Sequence, residues 1–327
     1  MSLVAFALLC CGLGASRQAD VIVVVGADGE AAYGKQFQEW AGRWKLAAER
    51  GDAAFHAVGL EPMGEVADRE LLRERLTQLP PDGSLPVWLV LIGHGTFDGR
   101  TARFNLRGDD VTAKELAEWL KPLERPLAVV NCSSSSGPFL NELSGANRVI
   151  ITATRSGHEY NFARFGDFLS AALLDPAADL DKDEQTSLLE AFLLAAAHVR
   201  EYYASNGRLV TEHPLVDDNG DRLGTPADWF RGFSAVKRAK EGAAPDGREA
   251  AKWRLIKSHQ ELRLSEGTLA RREELEWELS AAKQRKSELS EAEYLDLLEP
   301  ILLEIARLYD AADEGAPVES PAEGAQR

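Results

Sequence analysis

The sequence has few cysteines, and their positions leave no partner for a disulfide over most of the chain. Of three cysteines in 327 residues, Cys10 and Cys11 fall in the apolar N-terminal segment. Cys132 is therefore the single thiol of the remaining chain. A lone cysteine of this kind is a candidate nucleophile. The competing interpretation is a buried thiol that packs as a small hydrophobic side chain.

Basic residues are scarce relative to acidic ones, and long apolar runs are absent. The chain carries 37 Lys and Arg against 53 Asp and Glu, which gives a net charge of −16. Nucleic-acid binding requires a basic surface, so we expect no nucleic-acid partner. Beyond the N-terminus no stretch reaches the roughly 18 apolar residues of a membrane span, and no span is predicted.

The two ends of the chain differ in composition from its middle. Residues 1–19 carry an apolar run followed by small residues, which is typical of a signal peptide, although no Lys or Arg precedes the run. With such a peptide the protein would be exported, to the periplasm or the medium; a buried N-terminal element would leave it cytoplasmic. We assign 20–234 to one α/β domain, 235–313 to a helical extension and 314–327, rich in Glu, Pro, Gly and Ala, to a disordered tail.

Short apolar runs alternate with helical patterns along the first two thirds of the chain. The clearest runs lie at 20–25, 87–92, 127–130 and 148–154. This alternation predicts an α/β fold, a doubly wound and mostly parallel sheet with helices on both faces. The helical extension is expected to pack on its own domain or on a protein partner.

Two neighbouring strands each end in a residue able to do covalent chemistry. The first is followed by His94-Gly95 and the second by Cys132 and four serines. Such sheets bind ligands at the carboxyl ends of their parallel strands. A thiol needs a nearby base to ionise at neutral pH. The placement therefore predicts a Cys132–His94 pair for acyl transfer, with the backbone N–H groups of Gly95 and Cys132 facing a developing oxyanion.

The order of these motifs resembles that of the caspase-like (clan CD) cysteine peptidases, and most closely the legumain family (peptidase family C13) of bacterial type. The resemblance covers roughly 20–221. It implies a caspase-like fold in which His94 is the general base or acid, Cys132 the nucleophile and the Gly95 N–H an oxyanion donor. The implied function is a cysteine endopeptidase that cleaves peptide or protein substrates and requires no cofactor.

The chain departs from legumains where they recognise substrate. Legumains carry Glu-Ala before the cysteine, where this chain has Val-Asn, and an Arg after the first strand, where it has Asp28. Asp28 either favours a basic residue at the cleaved bond or caps the following helix. Arg155 and Glu159, which follow the strand after Cys132, are further candidates for substrate binding.

Two other functions fit the same residues. A non-catalytic binding module would use the caspase-like scaffold and the helical extension to engage a partner. A transpeptidase or ligase, as found among legumain relatives, would use the same Cys–His pair with an amine in place of water.

An acidic segment matches an EF-hand calcium loop in part. Acids occupy loop positions 1, 3, 5 and 12, which are Asp179, Asp181, Asp183 and Glu190. Position 6, which is Gly in EF-hands, is Glu184 here. The segment is a candidate Ca²⁺ site, and the competing interpretation is an acidic entry to a helix, favoured by the helix dipole.

Overall fold

A computed structural model of the chain describes residues 17–237 and 244–314. The predicted signal peptide falls mainly on 1–16, and the predicted disordered tail falls almost wholly on 315–327. Both lie outside the described residues and stay predictions.

Apolar and β-branched runs form a central sheet of seven strands. The described residues contain twelve strands: β1 Asp20–Val25, β2 Ala54–Val58, β3 Val87–Ile92, β4 Gly95–Phe97, β5 Ala102–Phe104, β6 Val111–Thr112, β7 Leu127–Asn131, β8 Arg148–Thr152, β9 Leu215–Asp217, β10 Thr225–Pro226, β11 Phe230–Arg231 and β12 Ser234–Ala235. The central sheet has the order β10-β9-β8-β7-β3-β1-β2. The strands β2, β1, β3, β7 and β8 run parallel, and β9 and β10 close the sheet antiparallel.

Helices cover the sheet on both faces, as the alternation predicts. The described residues contain eight α-helices: α1 Ala31–Arg50, α2 Asp68–Thr77, α3 Ala113–Leu120, α4 Gly137–Leu143, α5 Phe165–Ala172, α6 Leu188–Ser205, α7 Glu266–Gln284 and α8 Glu291–Glu314. The predicted α/β fold with a mostly parallel sheet and a C-terminal helical part is confirmed.

Side-chain alternation along the strands divides the interior into two cores. Val21 and Val23 face one core with α1, α5 and α6, whereas Ile22 and Val24 face the other with α2, α3 and α4. Strands buried on both faces are expected of a parallel sheet covered by helices. Each fully buried aliphatic side chain contributes about 1.5–3 kcal/mol.

A second, smaller sheet follows His94 directly and was not predicted. Its strands β4, β5 and β6 are antiparallel and only two or three residues long. Runs this short carry no usable alternation in sequence, and their pairing depends on tertiary contacts such as the burial of Phe104. The sheet fixes the path of the chain as it leaves the end of β3.

The helical extension packs on its own chain. The hydroxyls of Ser234 and Ser280 lie 2.6 Å apart, and Gln185 Nε2 donates to Glu261 Oε2 at 2.8 Å. Within the extension, α7 and α8 bury an apolar cluster that includes Leu275. In the described part of the chain, no helix combines the length and the apolar character needed to cross a bilayer.

The central strand β3 should dominate stability. Leu89 is fully buried, so Leu89→Ala should lower the free energy of unfolding by about 2–5 kcal/mol through lost transfer energy and the cavity left behind. Leu209 is 89% exposed, and Leu209→Ala should change the same quantity by less than about 0.5 kcal/mol. Denaturant unfolding of both variants measures the difference, and equal losses would contradict the described core.

Candidate active site

His94 stands at the carboxyl end of β3 in an aromatic surrounding. Its ring centroid lies 5.1 Å from that of Tyr33, 5.3 Å from Phe37 and 5.9 Å from Phe162. Its Nε2 lies 3.2 Å from the backbone carbonyl oxygen of Asp28, just after β1. A carbonyl oxygen only accepts hydrogen bonds, so in the neutral ring Nε2 carries the proton and Nδ1 is the basic nitrogen.

Cys132 lies on the same face of the sheet but inside the core. It is 1% exposed, and a Cβ placed on Gly166 of α5 would come within 2.7 Å of the Cys132 Cβ and 2.8 Å of the Trp40 ring. Burial raises the pKa of the thiol, and the nearby Glu212 carboxylate raises it further. The thiol is therefore neutral and shielded.

Of the two interpretations of Cys132, the structure has the buried thiol that packs as a small hydrophobic side chain, and the reason is strand alternation. Ala128, Val130 and Cys132 all face the same core, so the cysteine continues the inward series of β7 instead of opening the turn. In the described part of the chain, no hydrogen bond joins the thiol to the His94 ring.

One of the two predicted oxyanion donors is also excluded. The Cys132 N–H donates to the Leu91 carbonyl at 2.9 Å and so extends the β3–β7 ladder. The Gly95 N–H instead donates to Ser134 Oγ at 3.2 Å, and Ser134 Oγ in turn donates to the Gly95 carbonyl at 3.2 Å. Of the two, only Gly95 keeps an N–H whose partner is a movable side chain.

The serines after β7 form a buried turn that packs directly on Gly95. A Cβ at Gly95 would lie 2.2 Å from the Ser134 carbonyl oxygen, so this close approach requires glycine. Ser133 Oγ donates to Asn131 Oδ1 at 2.7 Å, and Ser135 has a φ of +53°. The sequence shows the four serines after Cys132, but it does not show that they approach His94-Gly95.

Glu212 belongs to the surroundings of the site and was not predicted. Its carboxylate accepts the N–H groups of Arg164 and Phe165 at 2.8–2.9 Å and the Tyr203 hydroxyl at 3.2 Å, and burial raises its pKa to about 7. These bonds hold the start of α5, the helix that covers Cys132. In sequence Glu212 lies in an irregular segment with no motif to mark it.

Asp28 takes part in the site through its backbone. Its side chain is exposed, and the N-cap of α1 is Glu30, so the prediction that Asp28 caps this helix is wrong. Its carboxylate lies against the first turn of α1, where a Cβ on Gly34 would be 2.5 Å from Oδ2. Because the side chain of Asp28 is exposed, substrate binding by this residue stays a prediction.

Arg155 and Glu159 pair with each other at 3.1 Å in the loop after β8. Glu159 Oε1 also lies 2.6 Å from His213 Nδ1, and its Oε2 accepts the N–H groups of Arg155 and His213. The Glu159 side chain is 12% exposed, so it joins two loops rather than facing a substrate. The side chain of Arg155 is exposed and remains a candidate.

The predicted calcium loop has a geometry that fits a metal. Oxygens of Asp179, Asp181 and Asp183 lie within 4.8 Å of one another. Glu184 has a φ of +65°, the conformation for which EF-hands use glycine. Glu190 accepts the Leu180 N–H at 2.7 Å with Oε1 and the Ser187 N–H and hydroxyl at 2.7 and 2.8 Å with Oε2, so both of its oxygens are engaged in capping α6. The departure at position 6 therefore does not prevent the turn, and calcium binding stays a prediction.

A cavity of about 970 Å³ lies beside this loop and not at His94. Its walls include Asp181, Arg254, Glu276, Trp277 and Tyr309, from the loop, the segment before α7 and the two extension helices. The cavity is therefore separate from the edge of the sheet at His94.

Solved structures similar to this chain include two caspases. The initiator caspase Dronc of Drosophila matches with a TM-score of 0.40 and 14% identity, over 62% of this chain and 81% of that chain. Caspase-1 from Spodoptera frugiperda matches with a TM-score of 0.39 and 9% identity, over 62% and 86%. No family model and no curated protein matches the chain. These are similarities to two solved structures, and the caspase-like and legumain assignments of the chain stay predictions.

The buried thiol should react slowly in the folded protein. We expect iodoacetamide to label Cys132 at least about 100-fold more slowly in native than in guanidinium-unfolded protein, because the thiolate is disfavoured and shielded. Mass spectrometry of timed, quenched samples measures the rates. Faster labelling of the native protein would show that the thiol is activated and would contradict the described environment.

The acidic loop should bind Ca²⁺ more tightly as pH rises through about 7. Burial and the charges of Asp183 and Glu190 raise the pKa of Asp181 to about 7, and this carboxyl must lose its proton to act as a ligand. Calorimetric titration at pH 6 and pH 8 should show weaker binding at the lower pH.

Two variants complete the calcium test. Asp181→Asn should abolish the calorimetric signal, and Glu184→Gly should retain it with higher stability, because glycine adopts the positive φ without strain. Absence of binding by the unaltered protein at pH 8 would leave an acidic helix entry as the explanation of the loop.

Proposed function

We propose that the chain is a peptidase whose hydrolytic centre lies at the carboxyl edge of β1, β3 and β7, with His94 as its acid–base group. The observation that carries this proposal is the hydrogen bond between His94 Nε2 and the Asp28 carbonyl oxygen. It orients the ring and leaves Nδ1 as proton acceptor, which is the role of a general base in acyl transfer.

The groups around His94 support hydrolysis of an extended peptide. The Gly95 N–H is bonded only to a side chain that can rotate, so it is a candidate donor to the oxyanion of a tetrahedral intermediate. Asp28, whose backbone carbonyl contacts this ring, has an exposed side chain, and its negative charge favours a basic substrate residue. The exposed Arg155 side chain lies in the loop after β8, the strand on the other side of β7.

The cysteine-type form of this proposal takes Cys132 as nucleophile. It requires a conformation in which the thiol leaves the contact with Gly166 and Trp40 and becomes able to ionise beside His94. The side chains of Cys132 and His94 face the same side of the sheet, and this supports the cysteine-type form. The burial of the thiol opposes it.

A non-catalytic binding module is the second candidate function. The buried neutral thiol and the internally bonded Gly95 N–H favour it, since neither group is ready for chemistry. A transpeptidase or ligase would share the proposed centre and would differ only in transferring the acyl group to an amine.

Replacement of His94 tests the proposal. We expect His94→Ala to lower kcat/KM on a peptide library by about 10²–10⁴-fold, because general base catalysis is lost. His259→Ala, at an exposed histidine outside the sheet, is the matched control and should leave turnover unchanged. Mass spectrometry of the digested library measures both and also reports the residue at the cleaved bond.

Three outcomes are distinguishable in this experiment. Equal turnover by His94→Ala and the unaltered chain would overturn the assignment of the base. Peptide binding without cleavage would favour the binding module. Products joined to an added amine would favour the ligase.

A further inference from the structure

We propose that Ser134, and not Cys132, is the nucleophile of this centre. The inference rests on the proposed function and deepens it, because it changes the class of peptidase from cysteine-type to serine-type. It is drawn from the path of the chain after β7 and from the contacts of the serine turn with His94-Gly95.

The strand ladder places Ser134 beside the histidine. In the register of β3 with β7, Leu91 lies opposite Asn131, and the Cys132 N–H extends the ladder to the Leu91 carbonyl. Three residues beyond this pair on each chain are His94 and Ser134, and Gly95 follows His94. The two hydrogen bonds of 3.2 Å between Ser134 Oγ and the Gly95 backbone show that the chains are still in contact there.

The same ladder places Cys132 further from the edge of the sheet than His94. Its backbone is held beside Leu91 by the last ladder bond, whereas the histidine begins only after Ile92. Its side chain is enclosed by Trp40 and Gly166. Exposure of the thiol would require α5 to separate from β7. Ser134 is also buried, at 4% exposure, but among the described residues its hydroxyl is held only by the two bonds to the Gly95 backbone.

Rotation of the Ser134 side chain would prepare two groups at once. In the described conformation its hydroxyl occupies the Gly95 N–H and donates to the Gly95 carbonyl. When the hydroxyl turns toward the substrate, the Gly95 N–H loses its partner and becomes free to bind the oxyanion. In the described conformation, these two hydrogen bonds therefore occupy both the Ser134 hydroxyl and the Gly95 N–H.

The reaction then follows the ordinary course of a serine peptidase. Ser134 Oγ forms a bond to the substrate carbonyl carbon while its proton passes to His94 Nδ1. Collapse of the tetrahedral intermediate breaks the C–N bond, and His94 returns the proton to the leaving amine. Water, deprotonated by His94, cleaves the Ser134 ester and regenerates both groups. No cofactor or external oxidant is needed.

The turn that carries Ser134 is sharp. It connects the end of β7 to the start of α4 at Gly137, and Ser135 within it has a φ of +53°, which is strained for a residue other than glycine. A nucleophile presented on a strained turn between a strand and a helix is an arrangement that serine hydrolases use. The Ser135 hydroxyl is buried and has no hydrogen-bond partner among the described residues.

Four full-length proteins test the inference: the unaltered chain, Ser134→Ala, Ser134→Cys and Ser205→Ala. We expect Ser134→Ala to lower kcat/KM on the cleaved peptides by at least about 10³-fold. Ser205→Ala, at the exposed last residue of α6, is the matched control and should keep turnover within about threefold. Thermal unfolding shows whether each variant folds, and Ser134→Cys preserves the shape of the turn.

Two covalent probes identify the reacting atom. An alkyl phosphonofluoridate should label the unaltered chain on Ser134, as located by peptide mass spectrometry, and the rate should fall at least about tenfold in His94→Ala. Iodoacetamide should leave the turnover of the unaltered chain intact. Ser134→Cys should react with iodoacetamide at residue 134 at least about tenfold faster than the unaltered chain reacts at Cys132.

The outcomes separate this inference from the proposed function. Turnover that persists in Ser134→Ala and is lost on alkylation of Cys132 would overturn the inference and retain the peptidase. Labelling of Ser134 that depends on His94, without cleavage of any peptide, would retain the nucleophile and overturn the peptidase. Labelling of Ser135 instead, or no labelling of any serine, would overturn the inference.

Discussion

The parallel pairing of β3 with β1 on one side and β7 on the other is the constraint on which the site depends. Because the three strands run in the same direction and in register, their carboxyl ends meet at one edge. This brings the Asp28 carbonyl, the His94 ring and the serine turn together from segments far apart in sequence. Each of these groups would be an ordinary loop residue without the shared ladder.

Much of this framework could be predicted because its causes are local. The run at Asp20–Val25 and the helical pattern at Ala31–Arg50 fall where the structure has β1 and α1. Thr112 and Glu115 have the spacing of a capping box, and the Thr112 side chain accepts the Glu115 N–H at the start of α3. The position of His94 at the sheet edge followed from the strand that ends before it. In each case a few neighbouring residues determine the element.

The contents of the site were harder to predict, since they depend on single hydrogen bonds between distant residues. The sequence shows an apolar run followed by Asn-Cys-Ser, but not where the ladder stops. The bond from the Cys132 N–H to the Leu91 carbonyl extends the β3–β7 ladder by one residue beyond β7, and the serines form the turn that follows. The alternation of Ala128, Val130 and Cys132 was the one available indication. The sequence around Glu212 gives no such indication, because the two backbone N–H groups that it binds lie almost 50 residues away, at Arg164 and Phe165.

The enclosure of Cys132 also bears on the redox chemistry of the protein. A thiol that is 1% exposed and largely protonated cannot readily exchange with glutathione, form a mixed disulfide or be oxidised to a sulfenic acid. A centre built on a hydroxyl beside such a thiol would work equally well in reducing and oxidising surroundings. The interior position of one sulfur would thus make the chemistry of this edge independent of the compartment in which the protein resides.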